Sequence, residues 1–189
     1  MSSLSSAEAS PPAGISCNFA DAETAKLIEP QAPPPARCFE AVRRLTEAGV
    51  PVHVFVAPLI PGLNDRDIPK ILEQAAAAGA RFASYTALRL PGSVESVFVS
   101  RLREVMPLRA DRVLARLRDI RGGALSDSRF GKRMRGSGTY WDSIRDLFAI
   151  SRTRYGLDKS DETYPVPTQS IVDNRRPDEH IQLGFDFRR

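Results

Sequence analysis

Two predicted strands that flank one predicted helix constrain the fold of this chain more than any other feature. Residues 51–57 are rich in β-branched side chains and bounded by prolines, which is typical of a buried strand. Residues 81–90 predict a second strand, which closes at a Pro-Gly pair. The intervening stretch begins at Asp67, has apolar residues at helical spacing and ends at Gly79. This order predicts a parallel βαβ unit.

The rest of the chain divides into parts of different composition. Residues 1–14 are mostly Ser, Ala and Pro and are expected to be a disordered leader. Residues 15–92 form the α/β part, in which a weak strand over 14–19 and a helix over 36–48 precede the βαβ unit. Residues 93–157 predict a helical extension, and residues 158–189 a flexible, proline-interrupted tail.

Composition excludes several classes of protein. The chain is 42% hydrophobic and 26% charged, which suits a modest core. The sequence has no run of 18 apolar residues, so it does not predict a membrane-spanning helix. The first 20 residues lack the features of a secretory signal. Two cysteines, Cys17 and Cys38, are too few for a disulfide scaffold or a four-cysteine metal site. We expect a reducing, cytoplasmic setting.

Positive charge is concentrated in residues 109–135, which hold nine basic and three acidic side chains. Such a block attracts polyanions by releasing their counterions. Glycines interleaved near its end let the backbone follow phosphates closely. We therefore expect DNA contacts from Arg129, Lys132, Arg133 and Arg135. The alternatives are a solvated basic face, or arginines that neutralise helix ends and acids of their own domain.

Candidate catalytic residues are scarce. His53 lies within an apolar strand, where a histidine is more often a packed bystander than a ligand, and His180 lies in the polar tail. No nucleophile elbow, P-loop or His-Glu-x-x-His motif is present. The residues alone therefore do not predict an enzyme.

The loop over residues 60–65 is the most informative segment. It leaves the C-terminal end of a parallel strand, where open α/β and barrel folds place ligands. Gly62 would let the backbone approach a ligand, and Ile60 would offer an apolar contact to an adenine ring. The alternative is an ordinary βα connection stiffened by prolines.

A set of short motifs resembles one family. The motifs lie at residues 27–30, 48–52, 57–65, 78–80, 88–91, 109–110, 113–114, 121–123, 127–131 and 133–136. Together they resemble the radical S-adenosylmethionine (radical SAM) proteins, in the branch described as DNA repair photolyases similar to spore photoproduct lyase. The resemblance covers roughly residues 20–157.

The resemblance implies a fold, a cofactor and a set of contacts. The implied fold class is α/β, an incomplete (β/α)6 TIM-like barrel half followed by a helical C-terminal extension. Family members cleave SAM at a [4Fe-4S] cluster to make a 5′-deoxyadenosyl radical, and this branch implies lyase-type activity. An Ile-x-Gly-x-x-Glu loop and the end of the next strand contact the adenine in such proteins. The matching positions here, with Asp in place of Glu, are Ile60, Gly62, Asp65, Leu88, Arg89 and Leu90.

The chain also departs from the family. The family holds its cluster with three cysteines in a Cys-x-x-x-Cys-x-x-Cys loop, whereas Cys17 and Cys38 are 21 residues apart. We therefore expect a fragment that binds neither cluster nor SAM alone and is inactive without a separate N-terminal half. The strands at 52–57 and 81–90 would then expose unpaired edges. The alternative is a nucleic-acid or sliding-clamp binding module without catalysis.

The C-terminal tail carries aromatic residues that a disordered segment rarely has. Residues 182–187 are similar to the glutamine-led peptides that bind the bacterial DNA sliding clamp. The similarity implies a polar anchor and three apolar ones, namely Gln182, Leu183, Phe185 and Phe187. The alternative is that the two phenylalanines fold back onto the chain's own helices.

Overall fold

The computed structural model describes residues 12–125 and 136–158. Within these ranges the chain forms three strands and six helices, with a short 3-10 turn at Asp65–Asp67. In chain order they are β1 (Ala13–Ser16), α1 (Ala22–Ile28), α2 (Pro35–Glu47), β2 (Val52–Leu59), α3 (Ile68–Ala77), β3 (Phe82–Ala87), α4 (Val94–Val105), α5 (Pro107–Asp119) and α6 (Thr139–Arg154).

Prolines and glycines set most helix boundaries. Helices α2 and α5 begin at Pro35 and Pro107, because proline lacks only an N–H that the first turn leaves unpaired. Helices α2 and α3 are followed by Gly49 and Gly79, both with positive φ, the usual termination of a helix. The predicted helix over 36–48 is thereby confirmed to within a residue. Helix α1, which follows the capping residue Asp21, was not predicted.

The three strands form one parallel sheet in the order β1-β2-β3. The central strand is β2, in which Val54 pairs with Ile15 on one side and Ala83 on the other. Part of the outer edge of β3 is also paired, because Ala83 donates to the carbonyl of Leu157 at 3.2 Å. The expectation of unpaired edges is therefore wrong for β2 and for this part of β3.

One face of the sheet is covered by three helices. Val52, Val54 and Val56 are fully buried on this face and pack against α2, α3 and α6. The buried members that the helices contribute are Val42, Ile68, Ile71, Leu72, Ala75, Trp141, Ile144 and Phe148. Because strand side chains alternate between faces, the residues between the valines point to the opposite side.

The second face of the sheet carries polar and aromatic side chains. His53 Nε2 lies 2.9 Å from Ser84 Oγ, and the imidazole stacks on Phe55 with ring centroids 4.2 Å apart. A Cβ atom on Gly14 would lie 3.0 Å from Phe55 Cε2, so this ring lies over β1. Helices α2, α3 and α6 all belong to the first face. We refer to the side that bears Gly14, His53, Phe55 and Ser84 as the second face.

A second apolar cluster lies at the C-terminal ends of the strands. Ile60 and Leu63 follow β2, and Leu88 and Leu90 follow β3. They pack with Phe19, Ala25 and the buried sides of α4 and α5, whose members are Leu102, Ala110, Val113, Leu114 and Leu117. We call this the strand-end cluster.

The predicted barrel half is wrong. Among the described residues, about 54% are helical and the sheet has only three strands, so the chain is α/β without being half of a TIM-like barrel. Half of the helices do not lie on the outside of the sheet as barrel helices would. Helices α1, α4 and α5 gather instead in the strand-end cluster. The barrel half came from the family resemblance. The βα alternation by itself predicts parallel neighbouring strands and does not set the strand number needed for closure.

His53 predicts a pH dependence of stability. Burial, and secondarily the charge of Arg152, lowers the pKa of His53 to about 4. The unfolded chain takes up this proton near the ordinary value of 6.5, while the folded chain does not. The contribution of neutral His53 to the free energy of unfolding is therefore complete above pH 6.5, and it is lost as the pH falls towards 4. Urea unfolding at pH 7.5 and 4.5 should show a smaller loss for His53→Gln than for the unmodified chain. Equal losses in the two chains would contradict the assignment.

Candidate functional site

A buried amide joins the loops at the C-terminal edge of the sheet. Asn64 is fully buried, and its Oδ1 accepts a hydrogen bond from the backbone N–H of Ile60 at 2.7 Å. Its Nδ2 donates to the carbonyls of Asn18 at 2.8 Å and Pro58 at 3.1 Å. The side chain thus forms hydrogen bonds with three backbone groups. It connects the loop after β1 to the loop after β2.

Asn18 extends this connection to α1. Its Oδ1 accepts from the backbone N–H of Ala57 at 3.1 Å, and its Nδ2 lies 3.2 and 3.3 Å from the carboxylate oxygens of Glu29. Burial raises the pKa of Glu29, while the hydrogen bond from Asn18 opposes the rise. The Asn64–Asn18–Glu29 chain, which we call the asparagine clasp, holds both loops and the end of α1 together.

Helix α5 lies directly against the loop after β2. Gly62 has a φ of +80°, and a Cβ atom there would lie 3.3 Å from Arg116 Cγ and 3.5 Å from Val113 Cα. Arg109 donates to the carbonyl of Leu63 at 3.3 Å. Gly62 is therefore used for a close approach, as predicted, but its neighbour is the protein's own helix.

Asp65 is held by a tyrosine from α6. The hydroxyl of Tyr140 donates to Asp65 Oδ2, and the guanidinium carbon of Arg116 lies 4.1 Å from the centroid of the tyrosine ring. Burial, followed by the hydrogen bond to Asp65, raises the pKa of Tyr140 to about 12. The aspartate at the predicted adenine loop thus has a structural partner in the same chain.

The structure brings together three of the six predicted cofactor residues in one place. Ile60, Leu88 and Leu90 all belong to the strand-end cluster, and their exposed fractions are 1%, 8% and 1%. These side chains pack against α4 and α5. Arg89 is exposed at the same edge. Contact of these residues with an adenine ring stays a prediction.

Three of the described arginines in the basic block make contacts with other parts of the chain. Arg109 and Arg116 contact the loop after β2, and the buried Arg121 donates to the carbonyl of Leu88. Arg112 and Arg118 are exposed on α5. The predicted DNA and clamp contacts, Arg129, Lys132, Arg133, Arg135, Gln182, Leu183, Phe185 and Phe187, lie outside the described residues.

Two cysteines that are far apart in sequence meet in the structure. Cys17, which is 1% exposed, and the half-buried Cys38 lie in the same apolar cluster, close enough for each to shift the pKa of the other. Their spacing of 21 residues fits no metal motif, so the sequence does not pair them. Only the packing of α2 on β1 brings the two cysteines into one cluster.

The cysteine pair does not fit the cluster that the resemblance implies. Two thiols in mutual contact within an apolar core do not make the three-cysteine loop that a [4Fe-4S] cluster requires. Between residues 12 and 125 and from 136 to 158, no group of three or more His, Cys, Asp or Glu side chains is placed to bind a metal ion. No helix in these ranges has the length and hydropathy needed to cross a membrane.

Comparison with known proteins finds longer relatives. Uncharacterized proteins of Mycobacterium bovis and of two strains of Mycobacterium tuberculosis are 28% identical to this chain over 162 residues. The match covers 84% of this chain but only 43% of each relative, so the chain spans less than half of their length. No family model and no solved structure matches.

Substitution of Asn64 tests the clasp. Asn64→Ala leaves the N–H of Ile60 and the carbonyls of Asn18 and Pro58 without their partner in a buried region. We expect a loss of about 2–4 kcal/mol in the free energy of unfolding, measured by urea denaturation. The control is Arg66→Ala, an exposed neighbour, which should change stability by no more than about 0.5 kcal/mol. Equal, small effects would show that water replaces the amide.

Proposed function

We propose that this chain is one part of a longer radical SAM protein of the photolyase-like branch and that it is not catalytic alone. The observation that carries the proposal is the length of the mycobacterial relatives, of which the chain spans only 43%. The motif set supports the family. The accessible part of the second face, at Ser16, Phe55 and Ser84, supports a missing part. In this proposal SAM and the [4Fe-4S] cluster belong to the whole protein, and this chain alone holds neither.

The missing part, a separate N-terminal half, would cover the second face. Parallel sheets are normally covered on both faces, because their strands carry apolar side chains on both sides. Here the helices that pack on the sheet all lie on the first face, while Phe55 and Ser84 on the second face remain partly accessible. Ser16, at the end of β1, is exposed on the same side as Gly14.

The C-terminal edge of the sheet is the proposed side for SAM in that whole protein. Parallel sheets bind ligands outside the carboxyl ends of their strands. The loop over residues 60–65 and the exposed Arg89 lie at this edge, and the asparagine clasp fixes the backbone there. The side chains of Ile60 and Leu88 are engaged with α4 and α5, so Arg89 and the loop backbone are the groups available to a ligand.

Anaerobic reconstitution tests the proposal in two arms. The chain alone should acquire no [4Fe-4S] cluster, which carries about four irons and absorbs broadly near 400 nm, because it has only two thiols. Co-expression with the N-terminal part of a mycobacterial relative should give a complex that does acquire the cluster. A cluster on the chain alone would overturn the assignment, as would a co-purified complex that takes up no iron.

A matched pair of variants tests where the N-terminal part binds. Ser16→Arg places a long cation on the second face and should prevent co-purification. Ser100→Arg introduces the same side chain at an exposed position of α4 and should not. If both variants co-purify equally, the second face is not the contact surface.

We also propose two further partners and a cytoplasmic location. The proposed partners are DNA, through Arg129, Lys132, Arg133 and Arg135, and the DNA sliding clamp, through Gln182, Leu183, Phe185 and Phe187. The support is the net positive charge of residues 109–135 and the likeness of the tail to clamp-binding peptides. A cytoplasmic setting is proposed because both cysteines are free thiols, which a reducing compartment maintains.

The salt dependence of DNA affinity tests the first partner. Each arginine or lysine that neutralises a phosphate contributes about one unit to the slope of log affinity against log salt. Replacement of Arg129, Lys132, Arg133 and Arg135 by Ser should therefore flatten the slope by about four units. Arg112→Ser with Arg118→Ser, on the exposed side of α5, is the control for loss of charge alone. An unchanged slope in the fourfold variant would mean that these residues do not contact phosphate.

A further inference from the structure

The contact between Cys17 and Cys38 joins two elements at one end of the sheet. Cys17 follows β1, and its backbone N–H donates to the carbonyl of Phe55 at 2.9 Å, which fixes it against β2. Cys38 is the fourth residue of α2, which packs on β1. The two thiols share the apolar cluster of the first face, and they lie close enough for each to shift the pKa of the other. They are the only two cysteines in the chain.

The two thiols differ in access and in acidity. Cys17 is 1% exposed, whereas Cys38 is partly accessible to solvent. The hydrogen bond from Cys17 lowers the pKa of Cys38 to about 7, against the opposing effects of burial and of Glu29. The same hydrogen bond, together with burial, raises the pKa of Cys17. Cys38 is therefore the thiol that meets a solute as a thiolate, and Cys17 is the thiol held beside it.

We propose that Cys17 and Cys38 form a redox site, which low-molecular-weight disulfides such as glutathione disulfide oxidise to an intramolecular disulfide. The accessible thiol reacts first and the buried thiol resolves the adduct. This division of roles follows from the one-sided access to the pair.

The oxidation proceeds in two balanced exchanges. The Cys38 thiolate attacks one sulfur of glutathione disulfide, which forms a mixed disulfide and releases one glutathione thiolate. Cys17 then attacks the Cys38 sulfur, loses its proton to solvent and releases the second glutathione. The protein loses two hydrogen atoms and two electrons, and the oxidant becomes two molecules of glutathione. Formation of the bond brings the two sulfurs to about 2.05 Å from each other.

The disulfide would attach α2 covalently to the end of β1. Asn18, the residue after Cys17, belongs to the asparagine clasp, so the link would restrain the same edge of the sheet that holds the loop after β2. Oxidation is thus expected to slow local opening of that edge.

The test uses the full chain, reduced and then incubated with glutathione disulfide. Intact mass should fall by two hydrogen atoms, denatured thiols should drop from two to none, and digestion should yield a linked Cys17–Cys38 peptide. Cys17→Ser should stop at one glutathione adduct on Cys38. Cys38→Ser should retain a free Cys17 that resists alkylation until the chain is denatured.

Other outcomes would overturn the proposal. These outcomes are two retained thiols, two glutathione adducts, or a disulfide-linked dimer of chains. If a serine variant does not fold, the mass of the unmodified chain and its linked peptide still show whether the intramolecular disulfide forms. Acid quenching and alkylation of cells that express the chain and are exposed to a thiol oxidant provide the same readout without purification.

Discussion

The buried amide of Asn64 is the interaction on which the C-terminal edge of this sheet depends. A parallel strand ends with backbone groups that the ladder no longer pairs, and two loops must leave β1 and β2 at the same edge. Asn64 pairs with the N–H of Ile60 and with the carbonyls of Asn18 and of Pro58, near the end of β2, at distances of 2.7 to 3.1 Å. Its partner Asn18 continues the connection to Glu29 on α1. An apolar side chain at Asn64 would leave these groups unpaired in a region that water does not reach.

With the loops held in this way, the rest of the molecule separates into two apolar clusters. One lies between the valines of β2 and helices α2, α3 and α6, and the other lies beyond the strand ends against α4 and α5. The second cluster occupies the edge where parallel sheets place ligands. Arg109 of α5 and Arg121, which follows α5, reinforce it through contacts with the carbonyls of Leu63 and Leu88. Part of the basic block thus acts within the domain, which agrees with one of the alternatives left open by the sequence.

The accessible part of the second face and the longer relatives support the proposal that this chain is one part of a larger protein. Packing shows a parallel sheet whose helices lie on one face, and comparison shows a chain that spans under half of its mycobacterial relatives. Both are what a part of a larger protein would show. The paired thiols add a property that does not depend on that larger protein, because Cys17 and Cys38 meet within this chain.

The sequence by itself determined the local elements and their parallel order. The β-branched run around Val54 and the prolines and glycines at the helix ends act over a few residues, so β2, α2 and α5 could be predicted. The sequence also singled out Gly62 and its loop, since a close approach requires glycine at a positive φ. Only the tertiary structure decided which helix approaches that loop, which helices gather at the strand ends, and that Cys17 and Cys38 share one apolar cluster. Those outcomes depend on which helix face packs on which strand, and packing between residues distant in sequence leaves no periodic signal along the chain.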